Sequence, residues 1–341
     1  MNRRMLFAAA LGLVAGLSSA AFAADVKPYP VVIELDNPSG VGAHGLTGHV
    51  FIVARTGVYR LDPKSNPLKA VFEVNGFPTD IYGKGPKYNI GPLGVGFLGD
   101  SQLIIADGSQ PDGKEIVRIY RISASAPATP AKADSQEITL GPIAPGSKES
   151  PKGEGNFYGV AVTKNAIFIT SNGDDTKGWI LKADLKDGKP GKLTPFIATK
   201  PLVNVDAPVG ITVSPEGQLV VGQMGEMTVP NDSLLSFYDP ATGKLLKNYK
   251  TGLSDIAGVA YSPKSGKLYC VDFSWSAPEK GGLFRLDISG DTVKAEKIVK
   301  LDKPTALAFD KTGNLYITQF GTQAKGSTKF AGSVVRIDAG L

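Results

Sequence analysis

Acidic and amide side chains recur at equivalent places along this 341-residue chain, in the turns just before short apolar strands that begin with a small residue. Their oxygens are hard ligands that suit Ca²⁺, and they also bind cationic or polyhydroxylated molecules. The turns contribute Asp36, Asn37, Asn89, Glu154, Asn156, Asp206, Asp255 and Asp302. If all these strands begin on one face, the side chains ring one mouth of a common channel. Asp and Asn also initiate ordinary turns, which remains the alternative.

A second polar position follows the next strand of most units, where apolar residues give way to a loop. This second position is occupied by Asp107, Asn172, Gln223, Asp272 and Gln319. These five residues and Asn89 are the predicted ligand-binding residues. The predicted metal ligands are Glu154, Asn156, Asp206 and Asp255. The alternative is that each polar side chain caps its own loop.

A repeated sequence motif positions both sets of polar residues. It consists of a small residue that opens a short apolar strand, a Gly-centred turn and a second apolar strand. The copies begin at Gly40, Gly94, Gly159, Gly210, Gly258 and Ala306, roughly 50 to 65 residues apart. Period-two alternation and turn residues divide each unit into four strands. The sequence therefore predicts an all-β fold, a six-bladed β-propeller of four-stranded antiparallel blades.

The sixth unit has only three strands, whereas the apolar segment 30–35 precedes the first unit with nothing of its own to pair with. We expect this N-terminal strand to complete the last blade and close the ring, because closure removes an exposed sheet edge. Two insertions break the repeat. Residues 75–89 carry three aromatic residues among glycines and could cover one mouth, and residues 123–136 have the composition of a flexible surface loop.

The N-terminus has the pattern of a secretory signal: Arg3 and Arg4, an apolar run from Met5 to Leu17, and small residues up to Ala23. We therefore predict a signal peptide at 1–23, a single propeller domain at 25–341, and a periplasmic or secreted protein. The apolar run is shorter than the ~20 residues that span a bilayer. The single cysteine, Cys270, excludes an intrachain disulfide and is expected to be a buried, inert thiol.

The charge pattern does not predict nucleic-acid binding. The whole chain has a formal net charge of +5, which falls to about +3 without Arg3 and Arg4. The lysines stand singly among Pro, Gly and Ser, without interleaved aromatic residues. A monomer is the expected state.

Two segments resemble known propeller families. Pro304-Thr-Ala-Leu-Ala-Phe-Asp-Lys-Thr-Gly-Asn-Leu-Tyr-Ile-Thr318 resembles an NHL repeat, and Ile256-Ala-Gly-Val-Ala-Tyr-Ser-Pro-Lys-Ser-Gly-Lys-Leu-Tyr-Cys-Val-Asp272 is similar to the SMP-30/gluconolactonase hairpin. The second resemblance implies a divalent metal, usually Ca²⁺, at the channel. The Asn-Gly pair typical of that family is absent, since Val209 and Ala257 precede Gly210 and Gly258.

Two functions follow from these patterns. The first is a ligand- or protein-binding scaffold that takes a small molecule, a glycan or a periplasmic protein on one channel face. The alternative is a Ca²⁺-dependent gluconolactonase-like lactonase or esterase, in which the predicted metal ligands hold the ion. Histidine occurs only at positions 44 and 49, and no Gly-x-Ser-x-Gly motif is present, so a Ser-His-Asp hydrolase is not expected.

Overall fold

The computed structural model describes residues 26–146, 150–173 and 177–341. The predicted signal peptide, residues 1–23, lies outside the described residues. The first third of the chain forms β1 (Tyr29–Leu35), β2 (Gly40–Ala43), β3 (Val50–Ala54), β4 (Gly57–Leu61), β5 (Ala70–Asn75), β6 (Asp80–Tyr82), β7 (Tyr88–Ile90), β8 (Pro92–Leu98), β9 (Gln102–Asp107) and β10 (Val117–Arg121).

The middle of the chain forms β11 (Ala131–Lys132), β12 (Ile138–Leu140), β13 (Val160–Val162), β14 (Ala166–Ser171), β15 (Trp179–Lys186), β16 (Lys189–Pro190), β17 (Thr194–Ala198), the short helix α1 (Thr199–Val203), β18 (Pro208–Val213), β19 (Leu219–Gln223), β20 (Leu234–Tyr238) and β21 (Leu245–Lys250). The last part forms β22 (Ile256–Tyr261), β23 (Leu268–Asp272), a 3₁₀ turn (Pro278–Lys280), β24 (Gly282–Ser289), β25 (Thr292–Lys300), β26 (Pro304–Phe309), β27 (Leu315–Gln319) and β28 (Gly332–Ile337).

These strands form six blades arranged in a ring, and the predicted propeller is confirmed. From the channel outwards, the blades are β2-β3-β4-β5, β8-β9-β10-β12, β13-β14-β15-β17, β18-β19-β20-β21, β22-β23-β24-β25 and β26-β27-β28-β1. Pairing within these blades is antiparallel. The strands β6 and β7 form a separate hairpin.

The N-terminal strand closes the ring as predicted. Strand β1 pairs antiparallel with β28, with Tyr29 opposite Arg336 and Leu35 opposite Gly332. Leu35 is buried in an apolar cluster with Val41 and Tyr316, so it joins the first and last blades through side chains as well as main chain. The pairing of β1 covers the edge that β28 would otherwise expose.

Six small residues allow the inner strands to approach one another. They are the predicted repeat anchors Gly40, Gly94, Gly159, Gly210, Gly258 and Ala306. A Cβ at Gly94 would overlap the carbonyl oxygen of Tyr158, and one at Gly210 would lie 2.7 Å from the Cα of Gly258. Real Cβ atoms do not make such contacts with backbone, so larger residues would push the blades apart.

The second insertion runs over the surface as expected, and it is also attached to the propeller. Its strand β11 pairs parallel with β5 and adds a fifth strand to blade 1. Arg60 Nη1 donates to the carbonyl of Ser123 at 2.9 Å, and Tyr120 donates to the carbonyl of Ala133 at 2.6 Å. The segment therefore connects blade 2 to blade 1 through hydrogen bonds.

Two substitutions in β1 test the closure. Leu35→Asp should lower the free energy of unfolding by at least about 3 kcal/mol, because it buries an unpaired charge between the first and last blades. Ile33→Asp on the same strand should change it by less than about 0.5 kcal/mol, since Ile33 is 62% exposed. Urea unfolding of both variants checks this. If Leu35→Asp changes the free energy of unfolding as little as Ile33→Asp does, β1 does not hold the ring together.

Candidate functional site

The channel is divided by a single tyrosine near the end where the inner strands begin, here called the upper mouth. The Tyr158 hydroxyl lies 3.0 Å from the carbonyl oxygen of Ser39 and 3.1 Å from that of Thr305, on the opposite side of the ring. Burial raises the pKa of the Tyr158 phenol above its usual range, which keeps it protonated and able to donate.

The β6–β7 hairpin lies over Tyr158 and covers the upper mouth, as the aromatic first insertion suggested. Tyr88 packs edge-on against Trp275 at 5.2 Å and against Phe320 at 5.1 Å between ring centroids. The Trp275 Nε1 group donates to the carbonyl of Gly85 at 3.2 Å. Lys84 pairs with Glu226 at 2.9 Å across the surface. Only a small apolar space of about 60 Å³ remains beneath the hairpin.

A larger polar cavity of about 530 Å³ lies beside the hairpin, open to solvent. We call it the upper cavity. Among the residues that the structure describes, its charged and amide lining is Asp80, Lys84, Asp112, Asn156, Asn172, Lys200, Asp206 and Glu226. Lys200 pairs with Asp206 at 2.6 Å, and Lys84 pairs with Glu226. Because four carboxylates meet two ammonium groups, the cavity carries excess negative charge.

A buried acid lies behind the lining residue Asn156 of the upper cavity. Glu115 is 1% exposed and accepts a hydrogen bond from the backbone N–H of Asn156. Burial raises the pKa of the Glu115 carboxyl to about 10, and the nearby charge of Asp112 adds to the effect. Glu115 is therefore a neutral acid at pH 7.

The four predicted metal ligands have separate partners. Glu154 is buried and accepts from the hydroxyls of Ser150 at 2.6 Å and Ser171 at 2.9 Å. Asn156 and Asp206 line the upper cavity. Asp255 is buried elsewhere and accepts from the Trp275 backbone N–H, and burial raises its pKa to about 7. Within the described ranges, no group of three or more His, Cys, Asp or Glu side chains could hold a metal ion.

The predicted ligand-binding residues also divide between different roles. Asn172 lines the upper cavity and the small space under the hairpin. Asn89 is exposed on the hairpin, where its carbonyl accepts from the Asn37 side chain at 2.9 Å. Neither the upper cavity nor the space under the hairpin has Asp107, Gln223, Asp272 or Gln319 in its lining.

Those four side chains hold neighbouring loops through hydrogen bonds to the main chain. Asp107 accepts from the backbone N–H of Ser109 at 2.9 Å and pairs with Arg118 at 3.1 Å. Gln223 donates to the carbonyl of Val205 at 2.6 Å. Asp272 accepts from the N–H of Asp255 at 2.8 Å, and Gln319 accepts from that of Asp302 at 3.2 Å.

Comparisons with known proteins identify the architecture. No protein-family model and no curated protein matches the chain. The PQQ-bound aldose sugar dehydrogenase of Streptomyces coelicolor is 14% identical over 92% of this chain and 97% of its own, with a TM-score of 0.61. A putative oxidoreductase (glucose dehydrogenase) of Thermus thermophilus is 16% identical over 92% and 100%, with a TM-score of 0.61. A gluconolactonase of Xanthomonas campestris is 11% identical over 95% and 94%, with a TM-score of 0.57.

The chain shares the propeller fold of these proteins. At such low identities the likeness establishes the fold, and the chemistry must be argued from the residues of this propeller. No helix in the described part of the chain is long and apolar enough to cross a membrane.

Sequence reasoning missed most of the upper cavity. Asp80 and Lys84 come from the hairpin, Asp112 from the β9–β10 loop, and Glu226 from the β19–β20 loop. These loops lie outside the repeated motif, so no shared sequence position identified their residues. The available signal was their position on the same face as the turns that precede the inner strands.

The lower mouth, where the inner strands end, has a different character. Its cavity of about 450 Å³ is walled by the inner strands. Aromatic residues at their ends, Phe97, Tyr261 and Phe309, line it, and Thr212 is one of its few polar residues. Its charged lining residues are Asp310 and Lys311, whereas the upper cavity has six charged residues, so the upper mouth is the better candidate site.

A pH series tests the neutral state of Glu115. Its pKa is higher in the folded protein than in the unfolded chain, so the folded state binds the extra proton and loses stability as pH rises from about 5 towards 10. The slope contributed by one proton is at most about 1.4 kcal/mol per pH unit. Glu115→Gln should flatten the dependence, measured by urea unfolding in EDTA. The surface control Glu137→Gln should keep the wild-type slope, and an unchanged slope in Glu115→Gln would contradict the assignment.

Limited proteolysis tests how the hairpin is held. Trp275→Leu removes the hydrogen bond to Gly85 and the ring contact with Tyr88, so trypsin should cut at Lys84 or Lys87 at least about tenfold faster. Trp179→Leu, in blade 3, should leave cleavage at these lysines unchanged. If Trp275→Leu does not accelerate it, Trp275 does not secure the hairpin.

Proposed function

We propose that this protein is an exported, monomeric binding propeller that takes a small polyhydroxylated molecule, such as a sugar or the end of a glycan, in the upper cavity. The observation that carries the proposal is the lining of that cavity, where carboxylates, amides and ammonium groups from separate segments of the chain face one space. The predicted signal peptide supports a periplasmic or secreted location. A periplasmic protein partner is compatible if it presents such a group.

The mixture of donors and acceptors favours hydroxyl groups as the ligand chemistry. A hydroxyl both donates and accepts, so it can bond Asp112 or Asp206 on one side and Lys84, Lys200 or Asn172 on the other. A volume of about 530 Å³ falls within the range of small-molecule pockets. Tyr158 and the hairpin block the channel at its upper mouth. Binding in the open upper cavity is therefore favoured over binding inside the channel.

The Ca²⁺-dependent lactonase is the less supported alternative. Of its four predicted ligands, only Asn156 and Asp206 line the upper cavity, and Glu154 is engaged by two serines. The described residues therefore do not fit a channel-mouth metal held by this set. Similarity of fold to a gluconolactonase supports no reaction by itself.

A binding experiment tests the proposal. Isothermal titration calorimetry of the mature protein with monosaccharides and short oligosaccharides should find a ligand at one site per chain. The double variant Asp112→Asn/Asp206→Asn should bind it at least about tenfold more weakly, because carboxylate acceptors give charge-assisted hydrogen bonds. Thr212→Val, in the lower cavity, is the matched control and should bind as the wild type does.

Two results would contradict the proposal. One is the absence of binding to every sugar in the series at millimolar concentration. The other is an unchanged affinity in the double variant together with weakened binding in Thr212→Val, which would move the site to the lower mouth. Hydrolysis of gluconolactone that requires added Ca²⁺ and is lost in Asp206→Asn would instead favour the lactonase.

A further inference from the structure

Two acidic residues from neighbouring blades lie side by side at the junction of blades 4 and 5. The Ser233 hydroxyl accepts from the backbone N–H of Ile256 at 3.0 Å, and the Ser254 hydroxyl accepts from that of Asn231 at 3.3 Å. Residues 231–233 and 254–256 are therefore held together at both ends. Asp232 and Asp255 occupy the central positions of the two segments.

The two carboxylates have similar hydrogen bonds, and one oxygen of each has no hydrogen-bond partner. Asp232 Oδ2 accepts from the backbone N–H of Glu226 at 2.9 Å, and Asp255 Oδ2 accepts from that of Trp275. The Oδ1 atom of each is buried and has no hydrogen-bond partner. Asp255 as a whole is 1% exposed, so water does not compensate its charge. Buried polar atoms without partners are rare and costly, so this pair requires an explanation.

A third carboxylate at this junction is already satisfied. Asp272 accepts from the backbone N–H groups of Asp255 at 2.8 Å, Ser274 at 3.0 Å and Ser254 at 3.3 Å. Its hydrogen bonds fix the segment that carries Asp255. At this junction the unsatisfied carboxylate oxygens thus belong to Asp232 and Asp255, which are close enough for the charge of Asp232 to act on Asp255.

We propose that Asp232 Oδ1 and Asp255 Oδ1 are ligands of a calcium ion that joins blades 4 and 5. Carboxylate oxygen is the ligand that Ca²⁺ prefers, and main-chain carbonyls and water complete its usual coordination of about six to eight. A divalent ion neutralises both carboxylates, whereas a proton shared between them neutralises one. This site differs from the set predicted at the channel mouth, because Asp255 is paired here with Asp232 rather than with Glu154, Asn156 and Asp206.

The position of the ion gives it a structural role beyond the proposed ligand binding. The loop of Asp232 carries Glu226 and Met227, which line the upper cavity, and the loop bound to Asp255 carries Trp275, which holds the hairpin. Ser276 donates to the carbonyl of Met227 at 2.6 Å, so the two loops also contact each other directly. The ion would stabilise one wall of the upper cavity and the support of the hairpin together.

Calcium titration tests the site. The mature protein, stripped with EDTA and titrated with CaCl₂ at pH 7.5, should show a saturable rise in melting temperature of several degrees, because an ion that binds only the folded state stabilises it by mass action. Asp232→Asn and Asp255→Asn should each lose this response. Asp206→Asn in the upper cavity should keep it, as should the exposed control Asp239→Asn. This readout uses no sugar, so it is independent of the proposed function.

Terbium provides a second measurement that does not depend on the folding of a carboxylate variant. Excitation of tryptophan in the wild type with TbCl₃ should give sensitised luminescence that CaCl₂ displaces. Trp275→Phe should lose most of the signal, and Trp179→Phe should keep it. No calcium response in the wild type, or a response kept in Asp232→Asn and lost in Asp206→Asn, would overturn the proposal. Stabilisation by acidification alone, with no effect of CaCl₂ or TbCl₃, would also overturn it and assign a shared proton to the pair.

Discussion

The close approach of the inner strands is the constraint on which this molecule depends. Five glycines and Ala306 stand where the strands converge, and a side chain at Gly94 or Gly210 would collide with the backbone of the next blade. This convergence brings Tyr158 within reach of carbonyl oxygens on the far side of the ring. A wider ring would leave the channel open and its upper mouth too broad for the hairpin to cover. The small residues therefore shape the site without contacting a ligand.

The architecture could be predicted because it is repeated. Each copy of the small residue, apolar strand and Gly-centred turn predicts the same local structure. Six such copies in one chain predict a six-bladed propeller. The turns at Gly217, Gly266 and Gly313 adopt the positive φ that a late glycine in a tight hairpin turn favours. The closing strand was also predictable, since a three-stranded last unit and an unpaired first strand complement each other.

The candidate site was predicted only in part, for a reason that lies in carboxylate and amide chemistry. An oxygen that can bind an ion or a hydroxyl can equally accept a backbone N–H group, and the sequence does not say which it does. Asp107 and Asp272 accept backbone N–H groups, whereas Asp206 and Asn172 face a cavity. The difference arises from loop geometry, which varies between blades. Hairpin and loop residues such as Asp80 and Asp112 have no counterpart in the repeat, and only the folded chain brings them together.

The pairing of β1 with β28 also determines the order of folding events during synthesis. The two strands are about 300 residues apart along the chain, and Tyr29 meets Arg336 only when both are present. The four antiparallel strands of each of blades 1 to 5 come from one continuous stretch of chain, so these units can form as they emerge, and β11 joins blade 1 later. Blade 6 must wait for its last strand. The ring therefore stays open until the C-terminal strand has been synthesised, and its closure is the last step of assembly.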